Sequence, residues 1–88
     1  MSYRYANERP FVFTDEGQLM FLKVRDRAKK LLDEAGAVAC DALISGLTGN
    51  SWSMLACVDR LVEIGELKEV PNPHSLAGQH RLFVGPFR

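Results

Sequence analysis

Four side chains of this 88-residue sequence are of types that bind metal ions: Cys40, Cys57, His74 and His80. Zinc sites in proteins use short fixed spacings such as Cys-x-x-Cys or His-x-x-x-His, and these four residues show neither. No serine or cysteine stands in a Gly-x-Ser-x-Gly setting, and no glycine-rich phosphate-binding loop precedes a helix. The sequence therefore predicts no metal site, no cofactor and no catalytic residue, and we expect a binding protein rather than an enzyme.

A second group of side chains has the chemistry that contacts nucleic acid. Amide and hydroxyl groups hydrogen-bond to phosphates or base edges, and arginine pairs with phosphate oxygens. The candidates are Asn50, Ser51, Trp52, Ser53 and Arg60, followed by His74, His80 and Arg81. Trp52 has two interpretations: it is either an exposed anchor for a protein partner or a core residue folded against a neighbouring segment.

The longest periodic segment runs from Asp15 to Ala35 and predicts an amphipathic helix. Thr14 is the expected N-cap, and Gly36 is expected to end the helix. The apolar residues that share its core-facing side are Met20, Phe21, Val24, Ala28, Leu31, Leu32 and Ala35. The segments before and after this helix must be positioned by packing against it.

Residues 1–14 are predicted to form an arm, residues 15–85 a single domain and residues 86–88 a tail. Pro10 is expected to break any helix in the arm, and Phe11-Val12-Phe13 reads as a short strand-like stretch. Leu19 and Leu22 lie outside the core-facing side of the long helix. Together with Phe11 and Phe13 they are predicted to form a homodimer interface, in which two copies exchange arms symmetrically.

After Gly36 the sequence predicts two further helices and three short strands. We predict a short strand at Ala37-Val38, a helix from Cys40 to Leu47, a turn at Thr48–Ser51, a helix from Trp52 to Ile64, and strands at Leu67–Val70 and Arg81–Val84. The apolar residues expected to close the final hairpin over the core are Leu67, Val70, Leu82 and Val84. The outward side of the third helix is expected to present Trp52, Ser53, Ala56, Asp59, Arg60 and Glu63.

The stretch Leu61-Val62-Glu63-Ile64-Gly65-Glu66-Leu67 and this order of elements resemble the winged helix-turn-helix family. The resemblance implies an α+β, mainly α fold: three helices with a C-terminal two-stranded β-hairpin wing. The alternative is another small α+β domain with a terminal hairpin. The resemblance also implies double-stranded DNA as the partner, with the third helix in the major groove and the wing on the backbone. Such a protein would regulate transcription by occupying its DNA site, as a dimer.

The charge balance favours a different partner. Eleven basic residues face eleven acidic ones, whereas DNA-binding domains usually carry a basic excess. Asp59 and Glu63 on the third helix would repel phosphates. The alternative function is therefore a winged-helix protein-protein interaction module with little DNA affinity, binding its partner through Trp52 or through the Leu19/Leu22 patch.

The composition also indicates a location. No apolar run approaches the ~18 residues of a membrane span, and no apolar signal segment follows Met1. Two cysteines are too few for a secreted disulfide framework. We expect a cytoplasmic protein that makes no contact with membranes.

Overall fold

The computed structural model describes residues 3–70 and 81–85. In this part of the chain four helices and a small antiparallel sheet make a mainly helical α+β fold. The helices are α1 (Tyr5–Val12), α2 (Asp15–Ala35), α3 (Cys40–Ile44) and α4 (Ser51–Glu63). The strands are β1 (Ala37–Ala39), β2 (Lys68–Val70) and β3 (Leu82–Val84).

Helix α2 has the predicted bounds because both of its ends are capped as the sequence indicates. The Thr14 hydroxyl accepts a hydrogen bond from the Gly17 N–H at 3.0 Å, which satisfies one of the free N–H groups of the first turn. Gly36 adopts the left-handed conformation at φ 76°, where glycine carries no steric penalty. Val24 and Ala28 are fully buried, and α2 packs against α4 and β1.

Helix α4 is capped at both ends by local hydrogen bonds. The Asn50 side-chain oxygen accepts from the Trp52 N–H at 2.8 Å. At the other end, Gly65 has φ 81°, and the Glu66 N–H reaches back to the Leu61 carbonyl at 2.9 Å. This is the Schellman arrangement that ends many helices at a glycine. Leu61 is fully buried, as its position on the apolar side of α4 predicts.

The sheet differs from the predicted two-stranded hairpin. Its strand order is β1-β3-β2, so β1 joins the hairpin as a third strand, with Val38 opposite Phe83. The inward residue of β3 is Phe83, which is fully buried, while Leu82 and Val84 are only half-buried. The prediction that Leu82 and Val84 face the core was wrong by one residue. Neighbouring residues of a strand point to opposite faces of the sheet, so a shift of one residue exchanges the two faces.

The segment predicted as a strand-like arm is helix α1. Pro10 lies in the last turn of this eight-residue helix, so the missing proline N–H removes a single hydrogen bond near a helix end. Tertiary packing compensates, because α1 lies across α4 and α2 and fully buries Val12. Helix α3 ends at Ile44, three residues before the predicted Leu47.

One apolar core joins the four helices to β1, β3 and Leu67, the residue before β2. Its buried members are Val12, Val24, Ala28, Leu32, Val38, Cys40, Leu43, Ala56, Cys57, Val58, Leu61, Leu67 and Phe83. Because α1 contributes to this core, residues 5–12 pack as part of the same unit as α2 and α4.

Candidate functional site

The outward side of α4 is covered by α1. The Tyr3 hydroxyl donates to Asp59 at 2.6 Å, and the Tyr5 hydroxyl donates to Glu63 at 2.8 Å. Ala56, expected on the outward side, is fully buried. That expectation was wrong because the sequence pattern alone gave no sign that a further helix packs there. The side of α4 that the winged-helix resemblance assigns to DNA is therefore occupied by the protein's own chain.

Trp52 lies at the edge of this covered surface. Its ring meets the Tyr3 ring edge-on, with 6.5 Å between centroids and an angle of 67° between planes. The residue is half-buried. Trp52 thus packs against the N-terminal segment.

The two arginines expected to contact phosphates are engaged with carboxylates. Arg81 binds Asp59 at 2.5 Å and Glu69 at 2.9 Å, and the exposed side-chain fractions of Arg81 and Asp59 are only 18% and 15%. Arg60 binds Glu63 at 2.6 Å. A phosphate would have to compete with these carboxylates for both guanidinium groups.

The other residues predicted to contact DNA are divided between two parts of the chain. Asn50 and Ser51 are exposed at the start of α4, and Ser53 is half-buried one turn further on. His74 and His80 lie outside the described residues. The structure therefore brings Asn50, Ser51, Trp52 and Ser53 together at one helix end, while Arg60 lies about two turns beyond them.

Among residues 3–70 and 81–85, four large apolar side chains are exposed, and we call them the apolar band: Phe13, Leu19, Leu22 and Ile64. Their exposed fractions are 51%, 64%, 50% and 43% respectively. Three of them belong to the predicted dimer interface, while the fourth predicted residue, Phe11, is half-buried in α1. Ile64 was missed, because the sequence pattern places it at the end of α4 without showing which side it faces.

A depression of about 290 Å³ is lined in part by Phe13 and Ile64, two members of the apolar band. Its lining residues are Val12, Phe13, Gln18, Phe21, Arg60 and Ile64. Leu22 follows Phe21 directly in α2, and Leu19 lies one turn earlier. A separate cleft of about 370 Å³ lies on the other side of Leu19, where Met20 and Leu47 form its apolar walls.

A cluster of charges borders this depression at Phe13. Arg9 and Arg60 both bind Glu63, at 3.1 and 2.6 Å, and both guanidinium carbons lie about 5 Å from the centre of the Phe13 ring, at 4.9 and 5.0 Å. Hydrogen bonds from Arg60, Tyr5 and Arg9 lower the pKa of Glu63 from 4.5 to about 2. Burial and the hydrogen bond to Glu63 raise the pKa of Tyr5 to about 12.

Both cysteines belong to the apolar core. Both are buried free thiols, and burial raises the pKa of Cys57 to about 11, which keeps it protonated and unreactive. Within residues 3–70 and 81–85, no three His, Cys, Asp or Glu side chains are grouped as metal ligands would be. None of the helices in these ranges is both long and apolar enough to cross a membrane.

No protein-family model, no curated protein and no solved structure matches the chain significantly.

Proposed function

We propose that this protein is a protein-protein interaction module with little affinity for DNA, and that its apolar band pairs with a second copy of the chain. The observation that carries the proposal is a contrast between two surfaces. The outward side of α4 is already covered by α1, whereas Phe13, Leu19, Leu22 and Ile64 remain exposed.

The apolar band has a physical reason to be covered. Contiguous apolar patches on soluble monomers are usually small, and larger ones mark interaction surfaces. Burying one leucine side chain contributes about 1.5–3 kcal/mol. Leu19 and Leu22 project from the same exposed side of α2, so one contact would bury both of them.

A second copy suits this surface because an exposed apolar patch can pack against a copy of itself. Leu19 and Leu22 are 64% and 50% exposed and lie one turn apart on α2. Two α2 helices packed against each other through these leucines would bury the same residues on each copy. The same patch would then serve both copies, as in most homodimers.

Sedimentation velocity tests this pairing. We expect the chain to dimerise at micromolar concentration and the double variant Leu19→Glu with Leu22→Lys to weaken dimerisation at least about 100-fold, because two buried leucines are lost from each copy. The matched control is Lys30→Glu with Asp33→Lys, which also changes two exposed residues of α2 without altering the net charge and should stay dimeric. A monomeric parent chain, or identical behaviour of both double variants, would overturn the proposal.

DNA binding is the second candidate, and the order of elements favours it. The succession α2, β1, α3, α4, β2, β3 resembles a winged helix in which α4 would read DNA, and Asn50 and Ser51 are exposed at its start. Fluorescence anisotropy with random duplex DNA separates the candidates. The interaction module predicts no binding at protein concentrations up to about 100 µM in low salt, whereas non-specific DNA binders have a Kd of about 1–100 µM.

A further inference from the structure

The depression beside Phe13 has two chemically different walls. Phe13, Phe21 and Ile64 give it an apolar lining, and the side chains of Arg60 and Gln18 add polar groups. An apolar side chain would fit the first wall, and an acceptor of hydrogen bonds would fit the second.

Within the part of the chain that the structure describes, the charge cluster that borders the depression at Phe13 carries one positive charge in excess. Arg9 and Arg60 share a single carboxylate, that of Glu63. All eleven Asp and Glu side chains of the sequence lie within the described residues, and no other one of them pairs with either arginine. Each guanidinium has five N–H donors. Arg9 uses Nε towards Glu63 and Arg60 uses one Nη, which leaves donors available to a second carboxylate.

The two guanidinium groups are held in place before any ligand arrives. Both lie against the Phe13 ring, where the cation–π attraction favours their position, and Glu63 fixes one nitrogen of each. A ligand that binds here therefore orders few additional side chains, which lowers the entropic cost of binding.

We infer that this depression binds a segment of a partner protein in which an apolar side chain stands beside a carboxylate. The inference rests on the proposed protein-binding function and supplies the chemistry of the partner's contact. A free organic acid fits less well. Small-molecule sites usually have volumes of about 300–1,000 Å³ and enclose most of the ligand, whereas this depression of about 290 Å³ is open to solvent. A protein segment gains further contact along the apolar band.

Two capped dipeptides that differ only in charge test the inference: acetyl-Phe-Glu-amide and acetyl-Phe-Gln-amide, titrated into the full chain and followed by nuclear magnetic resonance. We expect shifts at Ile64, Phe21 and Gln18 with both peptides. The Glu peptide should bind about two- to fivefold more tightly, as is typical of a partly exposed ion pair. Phenylpropionate serves as the free acid and should bind more weakly than the Glu peptide.

Three variants separate the contributions of the two walls. Arg60→Gln should remove the preference for the Glu peptide, whereas Lys30→Gln, which loses the same charge elsewhere on the surface, should keep it. Ile64→Ser should weaken both peptides equally and leave their ratio unchanged.

The possible outcomes also separate this inference from the proposed function. Equal binding of both peptides, no binding, or a preference that survives Arg60→Gln would overturn the inference even if the chain dimerises. A charge preference in a monomeric chain would support the inference and contradict the dimer.

Discussion

Glu63 accepts hydrogen bonds from three side chains: Tyr5, Arg9 and Arg60. Two of these donors come from α1, so the carboxylate links α1 to the end of α4. The same residue was interpreted from the sequence as a group that repels phosphate. Its two partners in α1 are 54 and 58 residues away along the chain, and no local pattern indicates contacts over that distance.

The pH dependence of Glu63 is the first prediction. Since its pKa is lowered to about 2 in the folded protein from an ordinary value of 4.5, its contribution to stability is complete above pH 4.5. That contribution is lost as the pH falls towards 2. Carboxyl-carbon nuclear magnetic resonance should give a titration midpoint near 2 for Glu63. Arg60→Gln should raise this midpoint, whereas Lys30→Gln should leave it unchanged; a midpoint near 4.5 in the parent chain would contradict the geometry.

Other residues show how much local chemistry can be predicted. The caps Thr14 and Gly36 act as expected, because each uses hydrogen bonds or backbone freedom within a few residues. The exposure of Leu19 and Leu22 also follows from helical periodicity. The ion pair of Arg81 with Asp59 could not be predicted, since it joins the residue before β3 to α4, 22 residues earlier in the chain.

Among the elements, α1 departs most from the prediction. Its sequence contains Pro10 and carries little helical patterning, and isolated helices of this length are not stable in water. Docking on α4 supplies what the local sequence lacks. A helix that forms through tertiary contact cannot be identified from periodicity, and for the same reason the covering of the outward side of α4 could not be predicted.

The approach of α1 to α2 gives a prediction about Gly17. Replacing a helical glycine with alanine usually stabilises by about 0.5–1 kcal/mol. At Gly17, however, a Cβ would lie 1.9 Å from the Phe11 carbonyl oxygen and 2.8 Å from the Val12 Cα. Both neighbours are backbone atoms and cannot turn away. Gly17→Ala should therefore destabilise by about 1–3 kcal/mol, as overpacking does.

Urea unfolding measures this change, and Trp52 fluorescence reports whether the N-terminal segment stays docked, because Tyr3 packs against that ring. The matched control is Glu34→Ala on the exposed end of α2, which should change the free energy of unfolding by less than about 0.5 kcal/mol. A Gly17→Ala variant more stable than the parent would show that α1 does not approach α2 as described.

At the scale of the whole molecule, the net charge and the ion pairs within the fold bear on the kind of partner that we propose. The formal net charge is zero, and the ion pairs of Arg9, Arg25, Arg60 and Arg81 direct basic groups towards the protein's own carboxylates. The balance of charge was visible in the sequence, whereas the pairing needed the fold. The pairing proposed through the apolar band would therefore draw its affinity mainly from apolar contact.

This source of affinity has a measurable dependence on salt. A protein that contacts six to ten phosphates loses about 10³–10⁵ in affinity between about 50 and 200 mM salt, because bound counterions are released. Burial of Leu19 and Leu22 in a dimer releases few ions, and sulfate strengthens apolar association. We therefore expect the dimer dissociation constant from sedimentation to change less than about threefold over that range of sodium chloride, and to decrease when sodium sulfate replaces it. A dimer that weakens more than about tenfold with sodium chloride would show that ion pairs between the α2 helices, rather than the apolar band, hold the two copies together.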